Sequence, residues 1–472
     1  MVGAGKRRPP KPSSFPPPPP HWNEKPKPSS SSSTASLFTI SDLNPLLSLL
    51  ASSISLSLRF LSSHDLLLLP SQTLALDSFI LSSSLSLSRL LSLLPLPLQT
   101  LTLTTISLEP PFPSPALPSS WFLRFLSSPS HSSSSSLWLD SFRMSRSSFY
   151  HLLQALSPSL SASTSLALPP DHKLGAALFR LAHAAPFRAV ARRFGLPLPA
   201  VACRAFYEVV KAIADCLGEL LELSSARVLD RFNSLHLFNC CGVIGFASFP
   251  VKEGSVIAQG LVDPEGRFLD VSVGWHGEMT PAEILSKSKL SNAHSVLGNG
   301  RYVLGGSCCP LLPWLLTPFK KEEASEDCSK NSIFNDAHAR LMEVSENAFA
   351  RVRARWRLLG TRWNGECDEA LPYVIVASCL LHNYLLERGE PMPEEGDGSV
   401  KEQEFLDFEG DGDEEGKMIR EVIASHLRMV SQRLLSRRPS LGIRLNFNVV
   451  NVMAIVLVQA YSNHPLPSPN YS

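Results

Sequence analysis

The residues best able to do chemistry in this sequence fall into a few groups. Cysteines occur as two adjacent pairs, Cys240-Cys241 and Cys308-Cys309, each inside an apolar run. No CxxC pair is present and no two-residue Cys or His spacing recurs, so neither a redox dithiol motif nor a structural zinc site is expected. The odd total of nine cysteines fits buried, reduced thiols of an intracellular protein rather than a disulfide scaffold. His382 and Asn383 lie within an apolar helical stretch, where such residues cap or bridge core polar groups. No Ser/His/Asp or Cys/His constellation stands out, and no glycine loop has the pattern that cradles phosphate. Acids gather at Asp407, Glu409, Asp411, Asp413, Glu414 and Glu415. They lack the alternate ligands, central glycine and terminal glutamate of a calcium loop, so residues 389–417 are expected to form a solvated acidic loop. Cations gather at Arg188, Arg192, Arg193, Arg204 and Lys211.

The last group sits on a recognisable outline. Residues 187–194 read as a short helix ended by Gly195, and Leu196-Pro197-Leu198 leads into a longer helix from Pro199, with proline in its first turn. Helix, short glycine-containing turn, helix is the outline of a helix-turn-helix, and nearby arginines would suit phosphate contacts. The same outline also describes a structural helical hairpin with solvated arginines, and both readings stand. Upstream, apolar residues at helical spacing predict a helix over 138–156. Downstream, the pattern changes to strands: 238–244, then 255–262 and 267–274 around Asp263-Pro264-Glu265-Gly266, a hairpin turn signal. A helix is expected over 281–290, a strand over 302–304, and helices over 335–359, 371–386 and 418–437.

The flanks carry less information. Residues 1–35 are Pro- and Ser-rich and expected to be disordered. Lys6-Arg7-Arg8-Pro9-Pro10-Lys11 reads equally as a nuclear import signal or a solvated basic tail, not as a secretory leader. Residues 36–107 are Leu/Ser-biased and predict weakly amphipathic helices, with serine interrupting any clean membrane span. Residues 108–136 read as a linker, and the apolar tail 448–461 is too short to cross a bilayer. The whole divides into 1–35, a low-complexity region and linker over 36–137, a helical region over 138–230, an α/β region over 231–388, an acidic loop over 389–417 and a C-terminal helix and tail over 418–472. A chain of 472 residues with 44% hydrophobic content has room for sizeable cores, and its formal charge of +1 leaves nucleic-acid binding to local patches.

Several blocks, in order, resemble the PIF/Harbinger transposase-derived nuclease family of the DDE superfamily. They are Asp140-Ser141-Phe142-Arg143-Met144-Ser145, the stretch 190–206, and Asn239-Cys240-Cys241-Gly242-Val243-Ile244. Gly274-Trp275-His276-Gly277-Glu278-Met279 follows, then Tyr302-Val303-Leu304-Gly305 and Pro313-Trp314-Leu315-Leu316-Thr317-Pro318. Phe334-Asn335, Glu346, Ala348-Phe349, Arg355-Trp356-Arg357 and Leu381-His382-Asn383 complete the match, which covers residues 138–388. The resemblance implies an α/β (α+β) chain with an RNase H-like core, preceded by the helix-turn-helix-like region. It also implies hydrolysis or transfer of DNA phosphodiester bonds with two divalent ions, Mg or Mn, held by carboxylates.

Carried over position by position, the acids are mostly gone. The first strand's Asp falls on Gly245, the Asp after the Pro-Gly motif on Pro281, and the later strand's Asp on Gly306; only the helix's Glu remains, as Glu346. Glycine and proline offer no ligand, and one glutamate cannot hold two ions. The expectation is therefore a non-catalytic chain without a bound metal. The alternative is rescue by Asp263, Asp270, Glu278 or Glu283, giving an active nuclease; a third reading is a DNA-binding regulator acting through the helix-turn-helix. The plant domesticated branch of the family implies a nuclear protein, also found in the cytoplasm, that associates with chromatin or Polycomb-type subunits, a Myb-like accessory protein, or DNA, and not with membrane.

Overall fold

The computed structural model describes residues 40–93, 120–127, 135–162, 168–223, 226–292, 296–320, 328–363, 367–391 and 405–436. The basic stretch at 6–11, the Pro/Ser segment 1–35 and the apolar tail 448–461 lie outside the described residues. The chain divides into two compact units. One holds the start of α1 (Ile40–His64) up to Ile54 and the end of α2 (Pro70–Ser92) from Ser84; the other holds residues 55–83 and everything from 111 onward.

Within the Leu/Ser-biased region the described residues form two helices, α1 and α2, as its spacing predicts. Serine does not, however, lower its hydropathy enough to exclude a span: residues 44–64 and α2 are long and apolar enough, by length and composition, to cross a membrane. So is the segment 368–387, but most of that one is buried inside the protein.

In the larger unit a helical layer is built on aromatic rings. The expected linker 108–136 is not all linker, because α3 (Trp121–Ser127) buries Trp121, Phe122 and Phe125. Flanking prolines and serines hide this short apolar segment from a composition reading. The single helix expected over 138–156 is two, α4 (Ser135–Phe142) and α5 (Arg146–Ala162), broken where Arg143 adopts φ 59°. Next come α6 (Pro170–His183), α7 (Phe187–Phe194) and α8 (Pro199–Leu217). Gly195 ends α7 at φ 66°, and the amides of Gly195 and Leu196 donate to Arg192 O and Ala191 O at 3.3 and 2.7 Å. That double closure needs a left-handed residue, which glycine supplies without a Cβ penalty.

After α9 (Ala226–Ser234), β1 (Cys240–Pro250), β2 (Ser255–Val262) and β3 (Phe268–His276) form an antiparallel meander. A crossover through α10 (Pro281–Lys287) leads to β4 (Tyr302–Leu304), parallel to β1, and then to β5 (Leu315–Leu316), parallel to β4. Parallel pairing requires such a long connection. The sheet order is β3-β2-β1-β4-β5, that of the expected RNase H-like core. The long helix α11 (Cys328–Arg355) packs on β1 and β2, α12 (Leu371–Glu387) on β3 and α8, and α13 (Glu414–Ser436) on α11 and β5.

Candidate functional site

Gly245 on β1, Gly306 after β4 and residues of α11 meet on one face, the positions to which the sequence resemblance assigned the family's carboxylates. α11 lies across the sheet with its residues in register: His338 Nε2 bonds Gly305 O at 2.9 Å, Met342 faces Gly306, Ser345 faces Gly245 and Phe349 faces Gly260. Helical periodicity puts 338, 342, 345 and 349 on one side. A Cβ on Gly245 would overlap Ser345 Oγ. Ser345 is buried, and its hydroxyl has no hydrogen-bond partner among the described residues. A Cβ on Gly306 would find Cys308 Sγ at 3.5 Å and Met342 Cε at 3.6 Å. Pro281 opens α10, held by a capping box in which Thr280 and Glu283 bond each other's backbone. Glu346, one residue beyond Ser345, is turned about 100° away and is exposed.

The acids named as rescuers hold other posts. Asp263 is wholly buried in the β2–β3 turn, where Oδ1 accepts the amides of Glu265 and Arg267 at 2.9 and 3.0 Å and Oδ2 pairs with Arg231. Asp270 pairs with Lys289 at 3.0 Å, Glu283 caps α10, and Glu278 is exposed beside His276. Among the described residues no group of three or more His, Cys, Asp or Glu side chains could hold a metal ion. A two-metal centre does not fit the residues at Gly245, Pro281 and Gly306: there is no side-chain ligand at any of them, and Ser345 fills the space beside the first.

One acid that the sequence reading left in a solvated loop stands next to this face. Residues 405–413 are docked, not free: Asp407 accepts a hydrogen bond from Ser307 Oγ, and the Phe408 amide donates to Ser307 O at 2.9 Å. The spacing of the acids carried no signal for this, because apart from Asp407 the contacts are made by backbone and by Phe405 against Phe246.

Cys308 and Cys309 sit beside Gly306 and Gly305, and Cys240 lies at the start of β1. Burial raises the Cys240 thiol above its ordinary range, whereas a hydrogen bond between neighbours lowers Cys308 and raises Cys309. His382 and Asn383 brace the backbone as expected. His382 Nε2 bonds Gly266 O at 3.0 Å, and Asn383 takes the Phe268 amide at 2.9 Å while donating to Phe268 O and Leu220 O at 2.7 and 3.0 Å. Burial pushes His382 down to about 4, so its ring is neutral near pH 7.

One of the basic candidates is not on the surface. Arg193 is a correction: only 8% exposed, it lies 3.7 Å from the Trp121 ring centroid and donates to Thr73 Oγ1 at 2.9 Å. It is a core residue because α3 and α2 cover that side of α7, and burial lowers it to about 9. Arg192 is partly exposed but paired with Asp77, and Lys211 is paired with Asp215 at 2.5 Å. Arg188 and Arg204 are exposed. The helix expected to read DNA, α8, packs against α6, α7, α5 and α12.

Comparison with known proteins agrees with the sheet order. Residues 249–383, from the end of β1 through most of α12, match the DDE superfamily endonuclease family. The antagonist of like heterochromatin protein 1 of Arabidopsis thaliana is 32% identical over 199 residues, 36% of this chain and 49% of that protein. Over this region the chain is similar to the Harbinger-derived DDE endonucleases. Other proteins similar to it include the ALP1-like protein of Arabidopsis thaliana, 30% identical over 32% of this chain and 43% of that protein. HARBI1 of Mus musculus, provisionally named a nuclease, is 25% identical over 46% of this chain and 58% of its own length. The chain thus spans about half the length of the curated relatives it matches. No solved structure matches it. Nucleases of the DDE superfamily use divalent metals, which makes the ligand-poor face of this Harbinger relative its most telling feature.

Proposed function

We propose that this chain is a domesticated, transposase-derived nuclear protein that no longer cuts DNA and acts by binding chromatin proteins. The observation that supports the reading is at Gly245, which the resemblance aligns with the first catalytic carboxylate: a Cβ there would overlap Ser345 Oγ, and Glu346 is exposed. Two-metal cleavage needs carboxylates converging on both ions, and Gly245, Pro281 and Gly306 offer none. The name of the Arabidopsis relative, an antagonist of like heterochromatin protein 1, directs the search for partners to chromatin proteins; Polycomb-type subunits are among those the family resemblance implies. A Myb-like accessory protein is a further partner to look for.

The first test is affinity purification of the tagged protein from plant nuclei. Recovery of chromatin subunits supports the reading, and their consistent absence removes its partner half. Its catalytic half is tested on purified protein with Mg or Mn and a DNA duplex. Metal-dependent cleavage that disappears in Glu346→Gln would restore the nuclease reading.

A second reading, direct DNA binding, is favoured by the exposed guanidinium groups of Arg188 and Arg204. Replacing both with glutamine should weaken DNA binding and flatten its salt dependence. Unchanged binding would end that reading.

A further inference from the structure

The sequence holds two pairs of adjacent cysteines, and the fold treats them differently. Cys240 and Cys241 open β1, where successive side chains point to opposite faces. Their thiols donate to separate carbonyls, Cys240 to Gly242 O at 3.6 Å and Cys241 to Asn239 O at 3.7 Å. Cys308 and Cys309 lie instead in the turn after β4, closed by the Cys309 amide donating to Gly306 O at 3.0 Å. The turn brings the two thiols together. They share a hydrogen bond, which holds Cys308 below the ordinary thiol range, against the opposing effects of burial and of Asp407, and pushes Cys309 above it. Gly305 and Gly306 leave the sulfurs their space: a Cβ on Gly305 would meet Cys309 Sγ at 3.3 Å, and one on Gly306 would meet Cys308 Sγ at 3.5 Å. Cys308 is partly exposed and Cys309 is buried.

A partly exposed thiol that is biased toward thiolate and beside a second thiol is the arrangement that peroxides oxidise selectively. We propose that Cys308 and Cys309 are a peroxide-sensitive dithiol that closes to a vicinal disulfide and, in closing, loosens residues 405–413. The Cys308 sulfur attacks one oxygen of a hydroperoxide. An S–O bond forms, the O–O bond breaks, and the departing alkoxide takes the thiol proton and leaves as an alcohol. Cys308 is then a sulfenic acid. The Cys309 sulfur attacks it; the S–S bond forms, the S–O bond breaks, and hydroxide leaves with the Cys309 proton as water. The two thiols lose two electrons and the hydroperoxide gains them. Consecutive Cα atoms stand about 3.8 Å apart, closer than the ~4.4–6.8 Å usual for a disulfide, so the ring is strained and readily reduced again. The strain falls on a turn that holds another segment. Ser307 bonds Asp407 and the Phe408 amide, and Leu311 O takes the Asp413 amide at 3.0 Å. This chemistry is independent of whether the chain cuts or binds DNA.

The experiment treats full-length, reduced protein with hydrogen peroxide, alkylates the remaining thiols after unfolding, and maps the peptides by mass. The peptide carrying Cys308 and Cys309 should lose two hydrogens and escape alkylation, and dithiothreitol should restore both thiols. Cys240 and Cys241 should be alkylated as free thiols in the same digest. In Cys309→Ser the reaction should stop at the sulfenic acid, which dimedone traps on Cys308. Amide hydrogen exchange at Phe408 and Asp413 should show protection in the reduced protein and its loss on oxidation. Recovery of Cys308 and Cys309 as free thiols overturns the proposal, as does oxidation of Cys308 to the sulfinic acid with Cys309 still free. A disulfide that leaves both amides protected overturns it as well. Because the mass readout is made on wild type, it decides the matter even if Cys309→Ser fails to fold.

Discussion

Two parts of the sheet treat polar residues in opposite ways. Around the β2–β3 turn they are kept and fully used: Asp263 ties the turn amides to Arg231, His382 holds Gly266, and Asn383 extends hydrogen bonding from the edge of β3. Around Gly245 and Gly306 the nearest side chains are Ser345, Met342 and Cys308, and the acid beside them, Asp407, bonds Ser307. A buried polar group that satisfies backbone is needed whether or not the protein cuts DNA, because leaving its partners unpaired is costly. A carboxylate whose partner is a metal ion is stabilising only while the metal is bound; without the ion, like charges repel and small or apolar residues are better tolerated. The difference teaches that the family's scaffold and the family's chemistry are held by separate residues in this chain.

Substitutions can break or sharpen that contrast. The largest effect is expected for Asp263→Ala, which strips a buried partner from Arg231 and two turn amides at once. A loss of about 3–5 kcal/mol should appear as a lower urea midpoint with unchanged m-value. Asn383→Leu should follow closely, about 3 kcal/mol, since it orphans the Phe268 amide and carbonyl; a shift under about 1 kcal/mol would show that the edge of β3 needs no brace. Third comes pH. Burial holds His382 and His338 down to about 4, below the ordinary histidine value, so the unfolded chain binds more protons than the folded one between about 6.5 and 4. Stability is therefore full above that window and falls as pH drops through it, on the order of 2–3 kcal/mol per ring. Equilibrium unfolding of wild type and His382→Gln across the window measures this, and equal slopes would show that His382 does not contribute. The smallest effect should be at the other region: Glu346→Gln is expected to change stability by less than about 0.5 kcal/mol.

The local grammar of the fold was legible in the sequence. The Asp263-Pro264-Glu265-Gly266 turn, the helix of 187–194 closed by Gly195, the strand of 302–304 and the helix opened by Pro281 all stand where residue types and periodicity put them. That positions 245, 281 and 306 hold Gly, Pro and Gly, with no side-chain ligand, is a matter of identity alone. Some readings failed for a shared reason. Trp121 and Phe122 lie in a segment diluted by proline and serine, and Arg193 was judged by its charge without knowledge of the tryptophan beneath it. The acidic segment was judged by carboxylates that play a small part in anchoring it.

What the sequence determined by itself is thus what short-range rules decide: turns, caps, strand spacing, and which positions carry a side chain able to bind a cation. Tertiary structure decided the rest. It alone turned Ser345 rather than Glu346 toward Gly245, because the rotation of α11 is set by the buried stripe through Phe349 and Val352. It alone seated residues 405–413 on Ser307 and Leu311, because backbone groups far apart in sequence leave no pattern in it. Periodicity reports which face of an element is apolar; only packing determines what that face meets.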